Sequence, residues 1–375
     1  MQPSWSGWIP ETVDSPSPPT GPPGTARPSA GPATVTDNGR SSPPAQFSRP
    51  FFVKILSLAP ALPALPLLLA ALLPASLPAQ QGLGFDLSNA TVPPDQIRRG
   101  GPPPDGIPAI DEPRFTPAGE VDWLGPADTV LGFVRGGEAR AYPVRILNWH
   151  EIVNDTVAGR PIAVTYCPLC ASGMIFSREV GGAILRFGVS GLLLHSDMLL
   201  FDRSTRSLWS QIGADAISGE YAGTRLEWLP SEQMSWPAWR DRYPESLVLN
   251  RDTGHDRNYG RDPYRGYAER EGTLFPAPRH REELPRKALV AGLLHGGEPL
   301  ALPLDELPAG KAFTVEHAGS TLTLRYEPEA FRLVVHDATG QPVPTVQSFW
   351  FAWQSFYPDT VLWEGGGRTT GPQDR

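Results

Sequence analysis

Cysteine is almost absent from this chain: Cys167 and Cys170 are the only two in 375 residues. That excludes a scaffold stapled by several disulfides and a closed four-thiolate metal site. It also excludes a lipid-modified N-terminal cysteine, because none lies near the apolar segment at 55–79. Lysine is nearly as scarce, with Lys54, Lys287 and Lys311 alone, so arginine supplies most of the 32 basic residues. Against them stand 40 acidic residues, for a net charge of −8. An acidic chain repels phosphate backbones, which argues against nucleic-acid partners. The sequence also contains no Gly-rich phosphate loop, no Gly-x-Ser-x-Gly elbow and no His-Glu-x-x-His pair, which removes the reactions those motifs serve. Hydrophobic residues make up 40% of the chain, enough to build a core.

The N-terminal region reads as targeting sequence. Residues 1–52 are dense in Pro, Ser, Gly and Thr and cannot bury enough apolar surface to offset their ordering entropy. They are expected to be a disordered extension, or to precede the true start. Residues 53–79 have a basic flank at Lys54, an apolar Leu/Ala/Pro centre and a small-residue end at Leu77-Pro78-Ala79, the pattern of a secretory signal peptide. A membrane-spanning helix is the rival reading, but Pro60, Pro63, Pro66, Pro74 and Pro78 each remove a helical hydrogen bond. The expectation is an extracytoplasmic protein, periplasmic or secreted, with no stable membrane insertion once the signal is removed. Residues 80–107 read as a Pro-rich linker.

The remainder carries an internal echo. VLGFVRGGEARAYPVRIL (130–147) returns as VAGLLHGGEPLALPLDEL (290–307), at an offset of 160. SWPAWRDRYPESLVL (235–249) returns as FWFAWQSFYPDTVLW (349–363), at an offset of 114. Two matches in the same order indicate a degenerate tandem repeat whose second copy lacks about 46 residues. The fold class expected is therefore β-rich α+β. It consists of two related, mainly antiparallel β units: a first at 108–285 enlarged by an insert containing FGVSGLLLHSDMLLFDRSTRSLWSQ (187–211), and a shorter second at 286–375.

The repeat also sets a local register. Two apolar runs around Gly136-Gly137 read as a hairpin. After Pro143 the expectation is a helical turn near 143–148, a strand near 150–157, a turn at 158–160 and a strand at 161–166. Opposed residues then sum to about 317–320, which sets His150 against the segment Cys167–Cys170, with directly opposed Cβ atoms about 5 Å apart. Strand alternation sends Glu151 to the opposite face, as a solvated or salt-bridged residue.

Three chemistries fit Cys167-Pro-Leu-Cys170. A disulfide closing so short a loop contributes roughly 2 kcal/mol, against nearly 5 for a 100-residue loop. A redox pair would use one cysteine to attack and the other to resolve, with His150 lowering a thiol pKa. A metal site would take two thiolates and the His150 imidazole, leaving one open position and suiting zinc or copper as Cu(I). Cys167, Cys170 and His150 are thus both the candidate catalytic residues and the candidate metal ligands. His195 reads as a polar residue closing an apolar strand. The Tyr- and Arg-rich segment 253–267 reads as a long ordered loop whose interleaved Arg and Tyr either stack on a ligand or, the favoured reading, pack on the repeat interface.

WHEIVND (149–155), TYCPLC (165–170), FGVSGLLLHSD (187–197), DRSTRSLWSQ (202–211) and RDPYRGY (261–267) together resemble a prokaryotic family known as domain of unknown function 3179. The resemblance runs from about Gly106 to Tyr267, with a weaker tail through 348–360. It implies that His150, Cys167, Cys170, Asp202, Arg203, Trp209 and Gln211 occupy family motif positions, while His195 and His255 do not. The family often carries glycine after the second cysteine, where this chain has Ala171. The family name implies no activity. What the sequence supports is an exported metal-binding or thiol-redox protein acting on an unknown small ligand or protein. The alternative is a non-catalytic extracytoplasmic binding module whose cysteines staple a loop.

Overall fold

Pairs of residues with positive φ fold the chain into successive hairpins. Gly136 and Gly137 (φ 56° and 83°) turn Thr129–Arg135 back on Glu138–Pro143. Ala158 and Gly159 (φ 44° and 74°) turn Ile152–Val157 onto Arg160–Cys167. Two-residue loops with both φ positive match the right-handed twist of the strands they join. The register of the second hairpin, Ile152 against Thr165, gives the expected sum of 317. The computed structural model describes residues 82–278 and 280–365, with the backbone of 369–370. The extension at 1–52 and the signal peptide at 53–79 lie outside the described residues.

The described chain is β-rich, with three short α-helices and several small, mostly antiparallel sheets. Arg160–Cys167 is central in a four-stranded sheet, between Ile152–Val157 and Ser172–Ser177. Residues 187–218 supply four strands of a five-stranded sheet. Its outer strand is Ile97–Arg99, with Ile97 fully buried against Leu194. The segment read as a linker therefore contributes a strand and core side chains from Phe85 onward.

Local geometry recurs at the echoed positions. Val130 pairs with Pro143 as Val290 pairs with Pro303. Leu247 lies parallel to Arg140 as Val361 lies parallel to Leu300. The indole Nε1 of Trp239 donates to Ser246 Oγ at 2.9 Å, and that of Trp353 to Thr360 Oγ1 at 2.9 Å. The architecture nevertheless departs from two simple antiparallel units. Each echo contains a parallel strand pair, and one hydrophobic cluster joins Cys167, Cys170 and Trp209 to Trp350, Phe351 and Trp353 across the expected boundary at 285. Among the described residues, no helix is long and apolar enough to cross a membrane.

Trp239 and Trp353 each rest on a glycine. A Cβ at Gly132 would lie 1.9 Å from the Trp239 ring, and one at Gly292 2.2 Å from the Trp353 ring. Gly132→Ala and Gly292→Ala should each cost about 2–3 kcal/mol by overpacking, read as a lower midpoint of urea unfolding. A change below about 0.5 kcal/mol would show that the tryptophans are not wedged there.

Candidate metal centre

The helix Val144–His150 determines which of its neighbours reaches the cysteines. It ends at Glu151, which adopts the left-handed conformation (φ 59°) and donates its N–H to the Leu147 carbonyl at 2.7 Å. The strand starts only at Ile152, so strand alternation does not extend back to His150 and Glu151. His150 Nδ1 contacts the Pro108 carbonyl at 2.7 Å and Nε2 the Tyr259 hydroxyl at 2.6 Å. A carbonyl only accepts, so Nδ1 carries the proton and Nε2 accepts from Tyr259; Tyr259 in turn can accept from Thr253 Oγ1, 2.6 Å away. Burial holds the imidazole down at about 4, in its neutral form. Both ring nitrogens are thus occupied away from the sulfurs, which corrects the expected placement of His150.

Glu151 takes the inward direction instead. Its carbonyl accepts the Tyr166 N–H at 2.8 Å, beside Cys167, and its side chain is buried rather than solvated. Burial, reinforced by the charge of Asp197, pushes its carboxyl up to about 8.

The cysteines occupy a four-residue loop between paired Cys167 and Ser172. The Cys170 N–H donates to the Cys167 carbonyl at 3.2 Å. Ala171 then closes the loop at φ 54°, a conformation open to glycine without Cβ strain. Below it, the Gln211 amide donates to Thr165 Oγ1 (2.9 Å) and the Ser172 carbonyl (3.1 Å), and its Oε1 accepts from Ser172 Oγ (2.8 Å). Gln211 therefore braces the loop. Both cysteines are buried free thiols.

The third member of the group is Asp197. It follows the two-residue turn His195-Ser196, where φ is 54° and 70° and Leu194 pairs with Asp197. Such turns favour Asn-Gly, so a His-Ser pair holds backbone strain of the kind that collects at functional sites. The turn aims the Ser196 carbonyl at the thiols, 3.5 Å from Cys170 Sγ and 4.0 Å from Cys167 Sγ. It also brings one oxygen of the Asp197 carboxylate and both sulfurs within 4.8 Å of one another. Asp197 Oδ2 accepts the Ile212 N–H at 3.0 Å; Oδ1 is buried with no close hydrogen bond, and the Cys167 and Cys170 thiols and the Met198 N–H act on the carboxylate as donors. Burial pushes the Asp197 carboxyl up to about 7. Burial likewise raises both thiols, and the charge of Asp197 adds to the effect.

The loop read as interface packing does pack on the second unit, Tyr267 against Phe349 and Lys287, and it shares a buried cluster with the cysteines. Asn148 and Trp149 bind it through Asp262 (3.0 Å) and the Arg261 carbonyl (3.1 Å), next to the His150–Tyr259 bond. Three consecutive helix residues thus dock the loop, and its Tyr267 lies in, and Tyr264 packs against, the buried cluster that holds Cys167 and Cys170. Tyr264 also lines a cavity of about 140 Å³ with Ile107, Asn148, Trp149, Arg257 and Phe275. Of the other motif residues, Asp202 accepts from Thr205 and the Trp209 indole and shapes a turn, and Arg203 pairs with Asp105. His195 packs edge-on against Phe356, with ring centroids 5.3 Å apart. His255 stacks obliquely near His150 at 5.3 Å. None of these four joins the sulfurs.

Two predictions follow from these environments. Ala171→Gly should raise stability by about 1 kcal/mol by relieving left-handed strain; a loss in a urea titration would contradict that. The second concerns pH. The raised carboxyls of Glu151 and Asp197 are neutral in the fold, so their contribution is present at about pH 4 and is lost as pH rises toward 7 and 8. His150 acts oppositely, losing stability as pH falls from 6.5 toward 4. Above pH 6.5 the carboxyls act unopposed. The metal-free protein should therefore lose on the order of 1 kcal/mol per pH unit between 6.5 and 8. Chemical unfolding with chelator present measures this, and rising stability across that window would contradict it.

No curated protein and no solved structure matches the chain. Residues 104–360 match the family described as Protein of unknown function (DUF3179). That span covers more than half of the chain, together with the cysteine loop, the turn carrying Asp197 and the tyrosine loop, and the chain belongs to this family.

Proposed function

We propose that this is an extracytoplasmic metal-binding protein whose centre is formed by Cys167, Cys170 and Asp197, with Asp197 in the place first given to His150. The carrying observation is the convergence of two free thiols and a carboxylate, all buried and within 4.8 Å of one another, with one carboxylate oxygen lacking any close hydrogen bond. An unpaired buried carboxylate oxygen costs about 1–3 kcal/mol or more, and a cation would satisfy it and both sulfurs together. Tetrahedral zinc has Zn–S near 2.3 Å and Zn–O near 2.0 Å, which places ligand atoms roughly 3.5–3.8 Å apart. Small side-chain rotations would close the observed spread. The carboxylate favours zinc over Cu(I), which prefers sulfur alone. Three protein ligands leave a fourth position for an exchangeable group.

The redox reading has less support, because burial raises both thiols and opposes the thiolate that attack requires. Export rests on the character of residues 53–79. The recurring turns, tryptophans and parallel pairs at offsets of 160 and 114 support descent of the scaffold from a tandem repeat. In that reading the sheet at 187–218 is the insertion that brought Asp197 to the cysteines.

Anaerobic purification followed by metal analysis and thiol counting tests the proposal. One zinc per chain should bind, Cys167→Ser or Cys170→Ser should abolish it, and Asp197→Asn should weaken it at least tenfold. Two titratable thiols with no zinc uptake would reject the metal centre. A stable disulfide with no metal would favour the binding module.

A further inference from the structure

Tyr267 carries a second unmet polar group at the centre. The residue is 6% exposed, and its hydroxyl is buried with no close hydrogen bond. Tyr267 packs in the same buried cluster as Cys167 and Cys170, and the Leu274 N–H donates toward its oxygen, leaving the phenol O–H as the group without an acceptor. The ring is fixed from both sides. Lys287 Nζ sits 3.6 Å above it, held by the Arg270 carbonyl at 2.9 Å, and Phe349 packs against it with centroids 6.3 Å apart. The Phe349 N–H in turn donates to the Cys170 carbonyl at 2.9 Å. A tyrosine fixed so firmly cannot swing its hydroxyl out to water, and a buried donor without an acceptor costs about 1–3 kcal/mol. Buried orphans of this kind call for a functional account.

The two groups without a close protein hydrogen bond are complementary: Asp197 Oδ1 accepts and the Tyr267 O–H donates. A cation answers the first. An oxygen anion bound to that cation answers the second.

We infer that Tyr267 is a specificity-determining residue that donates its hydroxyl proton in a hydrogen bond to an oxygen-anion ligand, of the hydroxide or carboxylate class, in the fourth position of the metal centre. This rests on the metal-binding reading above. Such a bond selects oxygen ligands over thiolate or halide at that position, because only a compact, strong acceptor satisfies a fixed phenol. It would also stabilise a metal-bound hydroxide near neutral pH without supplying a charge of its own.

The test uses the full chain loaded with Co(II), titrated with acetate and followed by visible absorption, in the wild type and in Tyr267→Phe. Cobalt should bind one per chain in both, acetate should perturb the wild-type spectrum, and the variant should bind acetate at least tenfold more weakly. The metal-free thermal midpoint of Tyr267→Phe should equal or exceed that of the wild type, since the hydroxyl it removes has no protein acceptor. Equal acetate affinity in the two proteins, or no acetate response in the wild type, would overturn the inference while leaving the metal centre intact. A metal-free midpoint lowered by several degrees would overturn it by revealing a protein partner. Failure of the wild type to take up cobalt would remove the centre and the role of Tyr267 with it.

Discussion

Desolvation of like-charged groups is the constraint around which this structure is organised. Two thiols and two carboxyls, those of Cys167, Cys170, Asp197 and Glu151, are buried together. All four would be negative if ionised, and each carboxyl's ionisation opposes that of the thiols. Such a group can remain neutral, at the cost of holding protons far above the usual carboxylate range, or it can gather a cation. Buried carboxylates elsewhere in the chain are paired: Asp155 accepts from Arg140 at 2.6 Å and from the Tyr142 hydroxyl at 2.6 Å. The contrast between Asp155 and Asp197 separates a structural carboxylate from one kept available.

The backbone bears the cost of assembling that group. Glu151, Ala171, His195 and Ser196 all adopt left-handed conformations without being glycine. Each lies within two residues of a member of the centre or is itself a member. Ala171 ends the cysteine loop, His195-Ser196 presents Asp197 and the Ser196 carbonyl, and Glu151 ends the helix that carries His150. Strain of about 1–2 kcal/mol at each persists only where surrounding contacts over-determine it. Gln211 beneath the loop and the docked segment 253–267 supply those contacts.

Much of the scaffold was legible in the sequence, because period-two patterning and glycine turns are local signals. The hairpins at 136–137 and 158–159, the short helix after Pro143 and the register through Thr165 all follow from them. The cysteine pair was legible as a chemical motif. The third partner was not. Extending strand alternation one turn too far back placed His150 at the sulfurs, whereas the strand begins only after the left-handed cap at Glu151. Asp197 stood in a motif whose histidine drew attention, and only packing of the 187–218 sheet against the cysteine loop brings its carboxylate there. The roles of Tyr264 and Tyr267 depend likewise on a loop docked by Asn148, Trp149 and His150, contacts separated by more than 100 residues that no local pattern encodes. His150 is best understood as the residue that docks that loop.

X-ray absorption at the zinc edge of the loaded protein addresses the central claim most directly. The account predicts a first shell of two sulfurs near 2.3 Å and oxygen ligands near 2.0 Å. A shell containing only nitrogen and oxygen, or one with an imidazole signature, would contradict it.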